Sequence, residues 1–332
     1  MRRVIGIALG LSVVIGVLVT AFVWPSSEIA PRDVLIAVAG PPEAAAAVSD
    51  QLEQAVPDGF SVDAVASEQE ARDAIADRDV YGAVVLSPSG PPTVLTASSA
   101  SPVVAQLLQG VATSMAASSG EEAAGPVVED VAPPPSDDPR GTGFSSGALP
   151  LVIGGIAIGA AMSFVVSGVG RRLVGASVAA LGGGAVAVAV MQSWLGVLDG
   201  NWWANAGAYA LTLAAASVTL IGLHALLGHV GAALGAATFL LLGNPLSGIT
   251  SAPELLPSGW GAFGQLLPPG AGGSLLRSTA FFDGAAAGQP VLVLSGWIVL
   301  GLVLAAVGAR RAPVAPAEPT SGDVEQVSFG RA

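Results

Sequence analysis

The sequence predicts an α-helical polytopic membrane protein with six transmembrane helices and a small extracytoplasmic α/β domain between helices one and two. Three observations predict it. Of 332 residues, 52% are hydrophobic and only 11% charged, which is more apolar surface than a soluble core can hide. The charge is also segregated: 18 of the 24 acidic residues lie between Glu28 and Asp138, so one acidic, water-facing unit interrupts a nearly uncharged chain. Finally, six apolar runs recur outside that unit, most of them near the ~20 residues needed to cross a bilayer.

The first run, Val4 to Trp24, follows Arg2 and Arg3 and gives residues 1–24 as an uncleaved anchor. It is longer than the ~7–15 apolar residues of a signal peptide, and Trp24 and Pro25 stand where a small-residue cleavage site would be. Residues 28–118 then read as alternating strands and helices. DVLIAVA is a buried-strand run, and the following stretch carries Ala45, Val48, Leu52 and Val56 at helical spacing. FSVDAV alternates as a strand, Ser67 and Glu70 have capping-box spacing, and VYGAVVL and TVLTA are strands around the turn sequence SPSGPP. Ser101 and Pro102 open a third helix. The order β-α-β-α-β-β-α predicts an α/β unit that folds on its own. Residues 119–146, rich in Pro, Asp and Gly, read as a flexible tether.

The membrane domain, 147–309, holds apolar runs at about 148–169, 173–197, 206–227, 229–243 and 290–309, the fourth of these being short for a span. If all six runs alternate, the pairs Arg2/Arg3, Arg171/Arg172 and Arg310/Arg311 fall on one side, which the positive-inside rule assigns to the cytoplasm. Both termini are then cytoplasmic and residues 25–146 extracytoplasmic. Five tryptophans, among them Trp24, Trp194 and Trp260, fall near the opposite boundary, where amphipathic rings settle. Arg171 and Arg172 form the whole of the loop between the second and third runs. An outer segment, 244–289, is broken by proline and glycine yet keeps Trp260, Phe263, Phe281 and Phe282; short interfacial or re-entrant helices suit it. Within it, Arg277 and Asp283 read as solvated loop charges, the sharper alternative being that Arg277 snorkels toward headgroups or pairs with Asp283. These six residues are the candidates for an outer-interface or substrate path. Residues 310–332 read as a disordered cytoplasmic tail.

The search for chemistry narrows the function classes. A chain without lysine has no P-loop, and one without cysteine has no disulfide or thiolate site. His224 and His229 are five residues apart, which misses the one-turn geometry of a helical metal pair. No cofactor, metal or catalytic residue is expected, and nothing marks nucleic acid as a partner. No ionisable residue falls clearly within a run, which disfavours proton-coupled transport.

The layout resembles the permease subunits of ABC-2-type exporters and, more closely, the phage-infection-protein-like membrane family. The likeness rests on SEQEARDAIADRDVYGAVVL, on TASSASPVVAQLL and on the proline-punctuated stretch from NPLSGIT to RSTAFF. It implies one span, a large outer domain and five further spans, with a role in exporting an apolar or amphipathic substrate. The chain departs from that pattern at Arg171/Arg172, because the loop offers little surface to an ATPase. Besides the lipid bilayer, the partners left open are a separate ATPase subunit and further copies of the chain. The second reading is a non-transporting surface protein whose acidic outer domain binds a secretion component, a wall polymer or a phage.

Overall fold

The computed structural model describes residues 1–86, 92–119 and 127–311. Five helices are long and apolar enough to cross a membrane: α1 (Arg2–Ser27), α5 (Thr142–Val165), α6 (Val169–Val188, continued by a π-helical turn to Trp194), α7 (Trp202–Leu227) and α11 (Gly288–Arg311). A shorter apolar helix, α8 (His229–Ala237), is extended by a second π-helical stretch to Gly243. The chain is therefore a polytopic helical membrane protein.

Helix α7 is the axis of the bundle, and α5, α6, α8 and α11 all pack on it. Its neighbours approach through glycine. A Cβ on Gly155 or Gly159 of α5 would meet Ala216 or Leu220 at 2.6 and 2.8 Å; one on Gly301 of α11 would meet the Val218–Thr219 backbone at 2.7 Å. Without a hydrophobic force between helices in lipid, such close backbone packing is what holds spans together. The pairs Gly155/Gly159 and Gly231/Gly235 thus lie on seams against α7, whereas Gly6 and Gly10 of α1 face open space. Helix α1 stands apart, its apolar side chains exposed along nearly its whole length.

Helix α6 begins at Val169, so Arg171 and Arg172 lie in its first turn and only three residues join it to α5. The sequence expectation of a loop made by these arginines is corrected accordingly. Gly308 packs against Ala225 and Leu226, which sets Arg310 and Arg311 beside the C-terminal end of α7. His224 and His229 cluster there with Phe164, ring centroids 5.2 to 5.5 Å apart.

The α/β domain is one five-stranded sheet in the order β2-β1-β3-β4-β5, with β1 (Val34–Ala39), β2 (Phe60–Val65), β3 (Gly82–Val85), β4 (Thr93–Thr96) and β5 (Val127–Asp130). Only the β3/β4 pair is antiparallel. Helices α2 (Pro42–Ala55) and α4 (Pro102–Ser119) cover one face and α3 (Glu68–Ala76) the other. Predicted caps are present: Ser67 accepts from the Glu70 N–H, and Ser101 from the Val104 N–H. The predicted turn SPSGPP falls mostly at 87–91, outside the described residues, as does the tail beyond 311.

Two expectations about this domain change. The stretch read as a tether contributes β5, which pairs in parallel with β4, and then caps α5: Asp138 is buried and accepts from the N–H groups of Gly143 and Phe144 at 2.8 and 3.1 Å. Nor is the sheet's core its own. Ala252 and Leu255 complete the core under α2 and α4, and Phe282 completes the core under α3. The segment before α11 therefore supplies apolar side chains to both faces of the sheet.

Candidate functional site

A cleft of about 450 Å³ lies where the α/β domain meets the segment after α8. Its walls are the start of β1, the α3–β3 turn, residues 253–265 and helix α10 (Pro268–Phe281). Proline sets this architecture: Pro253 begins a short 3₁₀ turn, Pro268 and Pro269 open α10, and α9 (Trp260–Gln265) fits between them. Glycine does the rest, since a Cβ on Gly261 would lie 1.9 Å from the Pro253 carbonyl oxygen.

Three arginines line the cleft, each serving a different purpose. Arg32 donates to the carbonyls of Leu255 and Leu256 at 3.1 Å and to that of Glu28 at 3.0 Å, clamping the exit of α1 to the 253–257 turn. Arg78, in the left-handed region at φ 63°, donates to the Ser274 carbonyl and the Ser278 hydroxyl and lies 5.4 Å over the Phe282 ring. Arg277 is 4% exposed; it donates to the Ile249 carbonyl at 2.7 Å, lies 4.9 Å over the Phe144 ring, and its Nε has no partner.

Asp33, Asp79 and Glu254 also line the cleft, and among the described residues none of them forms an ion pair with these arginines. Among the described residues the ion pairs are those of Arg72, with Glu68 at 2.7 Å and Glu129 at 2.6 Å, on the far side of α3. Glu254 in the cleft instead accepts from the Tyr81 hydroxyl at 2.7 Å. Burial, and then the charge of Glu254, push the Tyr81 phenol above its ordinary range, so it stays a neutral donor. Burial lowers the Arg78 guanidinium and brings Arg277, next to the positive Arg78, down to about 10. Arg277 is thus still a cation at neutral pH, and this chemistry can bind and orient an anion.

The structure separates the six residues that the sequence grouped. Arg277 is in the cleft; it neither snorkels nor pairs with Asp283, which is exposed at φ 48° beyond the end of α10. The reason is that α10 is packed inside the protein against α7, α11 and α5 instead of lying in the interface. Phe281 packs on Phe144 at 5.3 Å, and Phe282 is buried in the sheet's core. Trp260 and Phe263 lie on the other side, exposed, with Trp260 edge-on to Trp24 at 5.6 Å. Arg32, Arg78 and Tyr81 were missed by sequence reasoning. Each is a common residue in an ordinary charged stretch, and the contacts that matter span 173 to 224 positions.

Trp260 also borders a second cavity, an apolar groove of about 480 Å³ between α1 and Leu241, Leu242 and Leu246. Helix α9 stands between the two: Gly261 and Ala262 face the cleft, and Trp260 faces the groove. A cleft with charged side chains and an apolar groove thus lie on either side of α9. In comparisons with known proteins, no protein-family model matches this chain, and neither a curated protein nor a solved structure does.

Proposed function

We propose that the chain is a six-span component of the cell membrane that receives an apolar or amphipathic substrate at its outer face and assists its export, as a permease does. In this reading α8 with its π-helical extension is the fifth span, both termini are cytoplasmic, and residues 25–146 and 244–289 are outside. The observation that carries it is the pairing of the cleft with the lipid-facing groove across α9. Such a pairing suits a molecule with one polar and one apolar end. The order of spans and outer domain, which resembles the ABC-2-type and phage-infection-protein-like proteins, supports the same direction.

The accessory reading has its own support. Glycine seams lock four helices onto α7, and Arg171 and Arg172 are engaged with the Ser167 hydroxyl and the Val166 carbonyl, leaving an ATPase little to hold. The two readings part in one experiment. Cells loaded with a fluorescent single-chain amphiphile should release it faster when they carry the chain than when they carry Ala262→Trp, which fills the cleft from an exposed position. Equal release from both, with both proteins at equal abundance, would leave the accessory reading in possession.

A further inference from the structure

We infer that the cleft binds the oxyanionic head of an amphiphile, a phosphate or carboxylate, with Arg277 as the recognising group and the α1 groove taking the tail. The inference rests on the substrate-receiving reading above and adds the chemical class. A buried charge without a direct ion pair is unfavourable unless its donors are satisfied, so a buried arginine with an unmet donor is a candidate to meet a ligand. Arg277 is buried in this way: among the described residues it forms no ion pair, the charge of Glu254 reaches it only from beyond ion-pair distance, one carbonyl and one ring face are its polar contacts, Nε is unmet, and it forms part of the cleft wall. The other two arginines differ. Arg32 and Arg78 donate to several carbonyls and a hydroxyl, holding segments together, and Glu254 is occupied by Tyr81. Arg277 is then the cation left to meet a ligand.

The chemistry of the ligand follows from the group. A guanidinium presents parallel N–H donors that match the two oxygens of a phosphate or carboxylate, a match that an ammonium or a neutral amide cannot reproduce. A cavity of about 450 Å³ holds a headgroup and not a whole lipid. Past Gly259, where a Cβ would meet nothing within 4 Å, a tail would round the start of α9 to the groove lined by Val13, Val17, Leu241 and Leu242.

The test uses the full chain purified in digitonin, a neutral detergent without a dodecyl chain, with its thermal midpoint and intrinsic tryptophan fluorescence as readouts. Dodecyl phosphate should raise the midpoint and bind at least 10-fold more tightly than dodecyl maltoside. Arg277→Gln should remove that preference, and Arg277→Lys should weaken it, while Arg72→Gln leaves it unchanged. If Arg277→Gln does not fold, Ala262→Trp must abolish binding in its place. Inorganic phosphate sorts the source: no competition assigns the site to a membrane amphiphile, and full competition assigns it to the oxyanion alone, free or lipid-borne. Binding of both dodecyl compounds with equal strength, unchanged by Arg277→Lys and blocked by Ala262→Trp, would overturn the anionic head while leaving the amphipathic-substrate reading intact. Binding of neither would remove both.

Discussion

Asp138 is the residue whose role is least visible in its own neighbourhood. It stands in a Pro/Asp tract that reads as solvated chain, yet its carboxylate receives the N–H groups of Gly143 and Phe144 and the Thr142 hydroxyl at the start of α5. Those N–H groups have no partners within the helix, and a negative charge there also meets the positive end of the helix dipole. Asp138→Ala should cost about 1–2 kcal/mol, read as a lowered thermal midpoint of the full chain, whereas Asp138→Asn should recover part of it. Ser67 and Ser101 were legible because capping at three-residue spacing is local; Asp138 acts across five and six residues and past a proline. A second residue-level test concerns Glu129, whose carboxyl is held below its ordinary pKa of 4.5 chiefly by the hydrogen bond from Arg72. A depressed carboxyl stabilises fully above its unfolded pKa and loses that contribution as pH falls through the lower folded value. The pair is exposed, so the effect is small. The stability difference between the native chain and Glu129→Gln should be present at pH 7 and shrink as pH falls below 4.5 and through the lowered folded value; a constant difference would assign it to something other than charge.

At the scale of elements, the membrane bundle is organised by where glycine permits contact. Gly222 of α7 and Gly301 of α11 face one another so closely that a Cβ on the first would lie 2.3 Å from the carbonyl oxygen of the second. Gly301→Leu should separate α7 from α11 and lower stability by at least ~1–3 kcal/mol, as overpacking does, while Gly6→Leu on α1 should be neutral because nothing lies within 4 Å. Retained protein in detergent after heating measures both. Sequence spacing alone does not distinguish these glycines, since 44 of them in 332 residues recur at four-residue spacing by chance. Which ones matter is decided by the helix each faces. The strands of the α/β domain were legible element by element, because buried runs and alternating runs have different periods. The exception is β5, whose side chains are mostly exposed and which is held as a strand by its pairing with β4.

For the whole molecule, the sheet and the bundle are built as one object. Leu255 and Phe282, on either side of α10, enter cores on opposite faces of the sheet. Phe282→Ala should therefore cost about 3–5 kcal/mol and loosen the domain from the bundle. Correspondingly, a secreted fragment of residues 28–118, which lacks β5 and both plugs, should show no cooperative melt. A sharp transition in that fragment would mean that the docked segment adds little to the core. The proposed topology is tested in intact cells by Asp50→Cys and Ser258→Cys, in a chain with no cysteine of its own. Both should react with an impermeant thiol reagent, and reaction of Ser258→Cys only after lysis would mean that α8 does not cross.

The sequence by itself determined that this is a membrane protein, where its long apolar helices run and how strands alternate with helices in its acidic unit. These are properties of composition and period, and each is written within a window of about 20 residues. The tertiary structure alone decided which glycines touch α7, that a tether is a strand and a cap, and that Arg32, Arg78, Tyr81, Glu254 and Arg277 line one cleft. The physical reason is that an arginine has the same local signal whether it is solvated or enclosed. Its surroundings are set by a segment some 200 residues away, which docks because its leucine and phenylalanine fill the sheet, and in doing so encloses the charges beside them.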